Sequence, residues 1–303
     1  MAAIETILSR LHGVKERGSS WTARCPAHDD RSPSLSISVG DDGRVLMHCH
    51  AGCTFEAIMA ALGFPVTAAF GDSTLEHRVL HLERKQREIE KRLGKLEQLR
   101  RSKVHLQYHR NLSQQLRHIW YEEGIFDEAI DRFVLGYAAQ CPSWSESASA
   151  TIPVFGYTNE LENVRHRLLS PGKAGKYRPE MSGLGQQLFN APILNKSHER
   201  LLILEGEKKT IVYDQCGYAA VGIMGQSVWK TEWLDWLDAD QVLICLDPDA
   251  QTSASRLGGI LVKHGLKDVR TASFPVKPDD LIQLGAKKKD IDAILAQARP
   301  VRL

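Results

Sequence analysis

Four soft or borderline metal donors crowd the N-terminal quarter of the chain: Cys25 and His28 in a Cys-Pro-Ala-His run, then Cys49 and Cys53. A structural zinc ion takes four such ligands in a tetrahedron, and one close pair on each of two knuckles supplies them without strain. His48 and His50 flank Cys49 and stay open as substitute ligands. A second set lies far along the chain and is chemically different. Glu205, Asp247 and Asp249 are hard oxygen donors of the kind that hold partly hydrated Mg2+ or Mn2+. Such an ion serves nucleotidyl transfer by lowering the pKa of an attacking hydroxyl, neutralising the α-phosphate and stabilising the leaving pyrophosphate. Singly, each acid reads equally well as a loop-end cap; jointly they point to a metal site. Cys141, Cys216 and Cys245 have no partner spacing and read as ordinary core residues.

Elements must carry these groups to one place. Ile4, Ile7, Leu8 and Leu11 have helical spacing, and Leu35, Ile37 and Val39 alternate with serines before an Asp41-Asp42-Gly43 turn and Val45-Leu46-Met47. The pattern predicts a short helix feeding a two-stranded hairpin with the soft ligands at its ends. Thr54 caps a helix through Leu62, stopped by Gly63 and Pro65. From Leu75 to about His118 there is no Pro and one Gly, and Leu75, Leu82, Ile89 and Leu96 recur every seven residues with Val79 and Leu93 between. That seam predicts one long helix of coiled-coil character. Two short helices are expected around Gly124, then strands over Thr151–Tyr157 and Asn163–Leu169. The last hundred residues alternate: strand 201–204 ending at Glu205, helix 210–216, strand 219–223, helix 229–237, strand 242–246 ending at Asp247, helix 253–264, strand 269–274. This order predicts a parallel, doubly wound sheet, whose ligands sit at the carboxyl ends of the strands, where Glu205 and Asp247 fall.

The chain has 303 residues, 43% of them hydrophobic, enough for two or three small cores. Six cysteines are too few for a disulfide framework, residues 1–24 hold no signal-peptide run, and no stretch approaches the roughly 20 apolar residues of a membrane span. A reducing cytoplasm is expected. The net charge of +2 argues neither for nor against a polyanionic partner, so its distribution matters. Between Glu76 and Arg117 there are 12 Lys or Arg against 5 Asp or Glu, which reads either as a solvated helix face or as a contact for backbone phosphates or a partner helix.

Leu-Ile-Leu-Glu205-Gly206-Glu207-Lys208, Leu246-Asp247-Pro248-Asp249 and Pro278-Asp279-Asp280-Leu281 resemble the motifs of a Toprim domain. Trp21 through His28 and His50-Ala-Gly-Cys53 are similar to the zinc ribbon of DnaG-type primases, especially the compact kind of phages and mobile elements. Glu122-Glu123-Gly124, Phe133 to Tyr137, Arg165-x-Arg167 and Lys176-Tyr177 look like the small basic subdomain of the same family.

The resemblance implies a multidomain α+β chain: zinc ribbon over 1–70, long helical linker over 71–118, a small mixed α/β basic subdomain over 119–196 and an α/β Toprim fold over 197–303. It implies template-directed synthesis of short RNA primers on single-stranded DNA from ribonucleoside triphosphates, with structural Zn2+, catalytic Mg2+ or Mn2+ and a separate replicative helicase. Arg165, Arg167, Lys176, Tyr177, Lys208 and Lys209 would bind template or nucleotide, and Glu205, Asp247, Asp249 and Asp279 would hold magnesium, with Glu205 either ligand or general base. The chain departs from the family at Lys209 and Lys277, where Asp is usual. Lysines there would repel a second or third metal or pair with triphosphate oxygens. The chain also ends soon after the Toprim segment, an expectation of no helicase-docking domain. A weakly catalytic or non-catalytic DNA-binding accessory protein and a Toprim nuclease are the alternatives.

Overall fold

The computed structural model describes residues 3–40, 43–69, 75–144, 147–171, 175–225 and 229–302. Asp41 and Asp42 of the expected turn lie outside the described residues. The chain divides into two compact units, Met1–Lys91 and Arg92–Leu303.

In the first unit, helix α1 (Ala3–Leu8) precedes strands β1 (Lys15–Arg17), β2 (Ser20–Ala23), β3 (Leu35–Val39) and β4 (Val45–Cys49), which form one antiparallel sheet in chain order. The expected two-stranded hairpin is therefore half of the sheet. The sequence hid β1 and β2 because β1 is fully exposed and β2 is only partly buried, so neither shows an apolar alternation; their backbone pairing holds them. Helix α2 (Phe55–Ala61) starts at Thr54, whose hydroxyl accepts from the Ala57 N–H at 3.2 Å. Ile7, Leu35, Ile37, Val45, Ile58 and Met59 close a small core that includes Cys25 and Cys49.

Helix α3 (Leu75–Ser102) contains the boundary between the units. The unbroken helix expected to His118 ends sixteen residues early because Lys103 turns left-handed, at φ +50°. No Gly or Pro marks this break; the Ser102 hydroxyl makes it by donating to the Leu99 carbonyl (2.6 Å) and accepting from the Val104 N–H (3.3 Å). Leu82, Ile89 and Leu93 of the heptad seam are more than half exposed, whereas Leu99 is buried against Leu161, Val164 and Leu184. Helices α4 (Val104–Asn111), α5 (His118–Tyr121) and α6 (Asp127–Arg132) follow.

Strands β5 (Gly136–Ala138), β6 (Ser149–Phe155), β7 (Leu161–Leu168) and β8 (Tyr177–Pro179) make a second antiparallel sheet in chain order. Gly136 is required where α4 meets it, since a Cβ would stand 2.5 Å from the Tyr108 carbonyl carbon.

The third sheet is built from β9 (His198–Glu205), helix α7 (Glu207–Gln215), β10 (Ala220–Ile223), β11 (Ala239–Cys245), helix α8 (Gln251–His264), β12 (Val269–Thr271), helices α9 (Pro278–Gln283) and α10 (Lys288–Ala296), and β13 (Arg299–Pro300). Its order is β10-β9-β11-β12-β13, parallel except for β13. Both faces are covered. Leu201 and Ile203 pack with Trp233, Leu257 and Leu261 on one side, and Leu202 and Leu204 with Tyr213, Ile291 and Leu295 on the other, which explains the unbroken apolar run in β9. Several bounds differ from expectation. The segment Trp229–Leu237 is a 3-10 helix over Thr231–Trp236, β9, α7 and β11 each start three residues earlier than expected, and β12 stops at Thr271. Among the described residues no helix is long and apolar enough to cross a membrane.

Candidate active site and metal centre

The β2–β3 connection carries Cys25 and His28, the end of β4 carries Cys49, and the loop before α2 carries Cys53. Antiparallel pairing sets Leu35 against Cys49, so the two knuckles meet at one end of the sheet. One donor atom from each of the four residues falls within 4.8 Å of the others, a Cys3His cluster. His28 Nδ1 is 3.2 Å from Cys53 Sγ and 3.8 Å from Cys49 Sγ. Metal–sulfur bonds of about 2.3 Å in a tetrahedron require ligand separations of about 3.8 Å, so the cluster has the size of a zinc site. His48 and His50 stand outside it, and His50 Nε2 lies 3.0 Å from the Ser36 hydroxyl.

Asp30 braces the cluster, a residue the ligand spacing did not reveal. Its carboxylate accepts from the Ser34 hydroxyl (2.6 Å) and from the Cys25 N–H (2.7 Å), bonds that lower its pKa to about 2. It also lies 3.9 Å from His28 Nε2, behind the imidazole, where a carboxylate orients the ring of a metal-binding histidine. Burial raises all three thiols; at Cys49 the N–H groups of Cys53 and Ala51, with the Cys25 thiol, outweigh it and lower the group, while Cys25 and Cys53 stay above their ordinary values.

At the other centre, Glu205 is the last residue of β9 and Asp247 follows β11, the adjacent parallel strand. The first turn of α7 faces them. Gly222 lets that turn close on β10, since a Cβ there would stand 2.5 Å from Thr210 Oγ1 and 2.8 Å from the Gly206 carbonyl; Thr210 Oγ1 itself donates to that carbonyl at 2.8 Å. Two lysines leave this turn into a bed of acids. Lys208 Nζ is 2.7 Å from both Glu123 Oε2 and Asp279 Oδ2. Lys209 Nζ is 3.0 Å from Asp247 Oδ1 and 3.8 Å from Asp279 Oδ1. Lys277 Nζ approaches Asp247 Oδ2 at 3.9 Å from the solvent side. Asp249 is exposed and makes no ion pair among the described residues. Among those residues the Cys3His group is also the one set of three or more His, Cys, Asp or Glu side chains close enough to share an ion, so the carboxylates stand interleaved with lysines rather than gathered alone.

Glu123 joins this network to the second sheet, pairing with Arg167 of β7 as well as with Lys208. A cavity of 340 Å3 opens beside it, lined by Glu123, Arg167, Lys176, Ile119 and Leu168. Arg165 pairs with buried Glu207 at 3.2 Å, and its guanidinium lies over the Tyr177 ring at 5.9 Å. Burial pushes the Tyr177 hydroxyl up to about 12. Lys176 is exposed, with no ion pair among the described residues. A further chain, Ser149 to His166 (2.8 Å) to Glu180 (2.6 Å), has the residue types of a nucleophilic triad, but Ser149 and His166 are fully buried, so it ties β6 and β7 to the residue that follows β8 and meets no substrate.

Burial raises Glu123 and Asp279, and the hydrogen bonds and charge of Lys208 outweigh it, so both carboxyls sit below their ordinary values; Lys208 sits above its own because the two acids outweigh its desolvation. The stability these carboxylates add is present above about pH 4 and lost as pH falls through their lowered values. The lysine's share is present below about pH 10 and lost as pH rises through its raised value. Lys208→Met should cost about 3 kcal/mol by stranding a buried acid, and adding Asp279→Asn should recover part of it, read by thermal unfolding across pH.

No protein-family model matches the chain. A DNA primase of Geobacillus stearothermophilus is 24% identical over 341 residues, covering 93% of this chain and 56% of that protein, so the chain spans little more than half the length of this curated relative. Among solved structures, the zinc-binding and RNA polymerase domains of the Aquifex aeolicus primase superpose with a TM-score of 0.56 at 15% identity, covering 98% of this chain and 83% of that one. A DnaG primase catalytic domain bound to ssDNA superposes with a TM-score of 0.57 at 20% identity, covering 69% and 83%. The chain is thus similar in sequence to a DNA primase and similar in fold to the zinc-binding and catalytic domains of DnaG-type primases.

Proposed function

We propose that this protein is a DNA primase, a nucleotidyltransferase that makes short RNA primers on single-stranded DNA. The observation that carries the reading is the seating of Glu205 and Asp247 at the carboxyl ends of adjacent parallel strands, linked through Glu123, Lys208 and Asp279 to a cavity where Arg167 and Lys176 stand beside Glu122 and Glu123. In this reading residues 1–70 are a zinc ribbon that engages template, 71–118 a helical linker, 119–196 the basic subdomain and 197–303 the Toprim core. Cys25, His28, Cys49 and Cys53 would hold Zn2+; the size of the cluster supports this. Glu205, Asp247 and Asp249 would hold Mg2+ or Mn2+, which when bound activates the primer hydroxyl and neutralises the α-phosphate.

The chain's own residues do the positioning. Arg165 over the Tyr177 ring forms one wall of the proposed template region, and Lys176 and Arg167 line the cavity where a backbone or triphosphate can lie. Lys277, exposed beside Asp247, can follow an incoming phosphate. The ssDNA in the related catalytic-domain complex supports this assignment of the template. A separate helicase partner belongs to the same reading.

Arg165 and Arg167 each form a close ion pair with an acid, whereas Lys176 forms none among the described residues. Lys176→Ala should therefore flatten the salt dependence of ssDNA binding most, by about 0.7 in the log–log slope for one phosphate contact, and Arg165→Ala least. Equal or absent slope changes would remove this groove as the template site. The decisive test of the function is primer synthesis from the four ribonucleotides on single-stranded DNA with Mg2+ or Mn2+. A second reading, a non-catalytic DNA-binding accessory protein, is favoured by the lysines that neutralise Asp247 and Asp279; a chain that binds ssDNA but makes no primer would establish it.

A further inference from the structure

Two lysines reach Asp247, and they differ in kind. The Lys277 side chain is 59% exposed and touches the carboxylate at 3.9 Å, whereas that of Lys209 is 13% exposed and lies between two buried acids, 3.0 Å from Asp247 and 3.8 Å from Asp279. Lys209 is also seated against the local electrostatics. It stands in the first turn of α7, where the positive end of the helix dipole disfavours a cation, so the two carboxylates must outweigh that field to hold it there. The turn itself cannot drift, because Thr210 ties it to the Gly206 carbonyl and Gly222 lets it close on β10.

We infer that Lys209 is a tethered cation of the carboxylate site: its ammonium takes the place of a divalent ion between Asp247 and Asp279, so that the site binds one divalent ion, on the side of Glu205 and Asp249. Asp279 is closed to metal from its other oxygen as well, since Lys208 holds Oδ2 at 2.7 Å. A second divalent ion between these acids would meet two ammonium groups that cannot leave without stranding buried charge. One positive charge near the reacting phosphates is then supplied by the chain itself, and Asp279 acts through Lys208 and Lys209 as a positioning residue. The inference rests on the proposed carboxylate–metal site, but its test does not read primer synthesis.

The experiment counts Mn2+ bound to the full, zinc-loaded chain by electron paramagnetic resonance titration, with unfolding curves on every variant. The expected counts are one on the wild type, one on Lys277→Ala and two on Lys209→Asp. Should Lys209→Asp not fold, Lys209→Gln carries the same test: a second ion, or the first bound about tenfold more tightly, supports the inference. Two ions on the wild type, none at all, or unchanged count and affinity in the folded Lys209 variants overturns it. One ion on the wild type and two on Lys209→Asp, in a chain that makes no primer, would leave the role of Lys209 standing and remove the primase reading.

Discussion

Stripping metal from the zinc-loaded protein with a strong chelator is expected to unfold the segment from β2 to α2. The four candidate donors sit at one end of a sheet whose core has no aromatic among its fully buried described residues, and two of its core members, Cys25 and Cys49, belong to the proposed zinc site. A core of this size does not hold a fold unaided, so the ligation energy, roughly 10 kcal/mol for a structural zinc site, becomes folding energy. Cys25→Ser and Cys53→Ser should each reduce bound zinc to well below one per chain and abolish protection of β3 and β4 amides in hydrogen exchange. Amides of β9 and β11, which belong to the other compact unit, should keep theirs. Asp30→Ala should fall between, weakening zinc by about tenfold or more, because it frees the Cys25 N–H and removes the carboxylate behind His28. Full amide protection in the metal-free chain would show that the cluster has no structural role.

Asp247→Asn is expected to lower primer synthesis on the order of 100-fold or more while leaving ssDNA affinity within about twofold. The amide keeps the shape of the side chain and removes the charge that, in the proposed function, would hold a hard cation, a loss of about 3 kcal/mol at the transition state. DNA binding should be spared because the proposed template residues Arg167 and Tyr177 lie in a different sheet, with Lys176 beside it, and none of them pairs with Asp247. Glu205→Gln should behave in the same way, with one difference that separates its two possible roles. As a metal ligand it should be partly rescued by raising Mn2+, whereas as a general base it should respond instead to pH. A full rate with Asp247→Asn would exclude the carboxylates from the chemistry.

The four Cys and His donors were legible in the sequence because metal geometry is largely local: two short knuckles joined by a hairpin can bring their ligands together in few ways. The β9 run was legible for a related reason, since a strand covered on both faces has no polar position to interrupt it. Other features left no trace in composition. Strands β1 and β2 are stabilised by backbone pairing that polar residues make as well as apolar ones. The break at Lys103 depends on a serine hydroxyl rather than on Gly or Pro.

What the chain's order of residues determined by itself is the inventory: a soft-ligand set, a set of hard carboxylates at strand ends and the sheet that presents them. What only the tertiary structure decided is how those charges are spent. Lys208 and Lys209 are neighbours in sequence, yet one is committed to Glu123 and Asp279 and the other to Asp247 and Asp279, while Lys277 stays in solvent. Ion pairing acts through space and through burial, both set by where distant segments pack, so no local pattern could have told these three lysines apart.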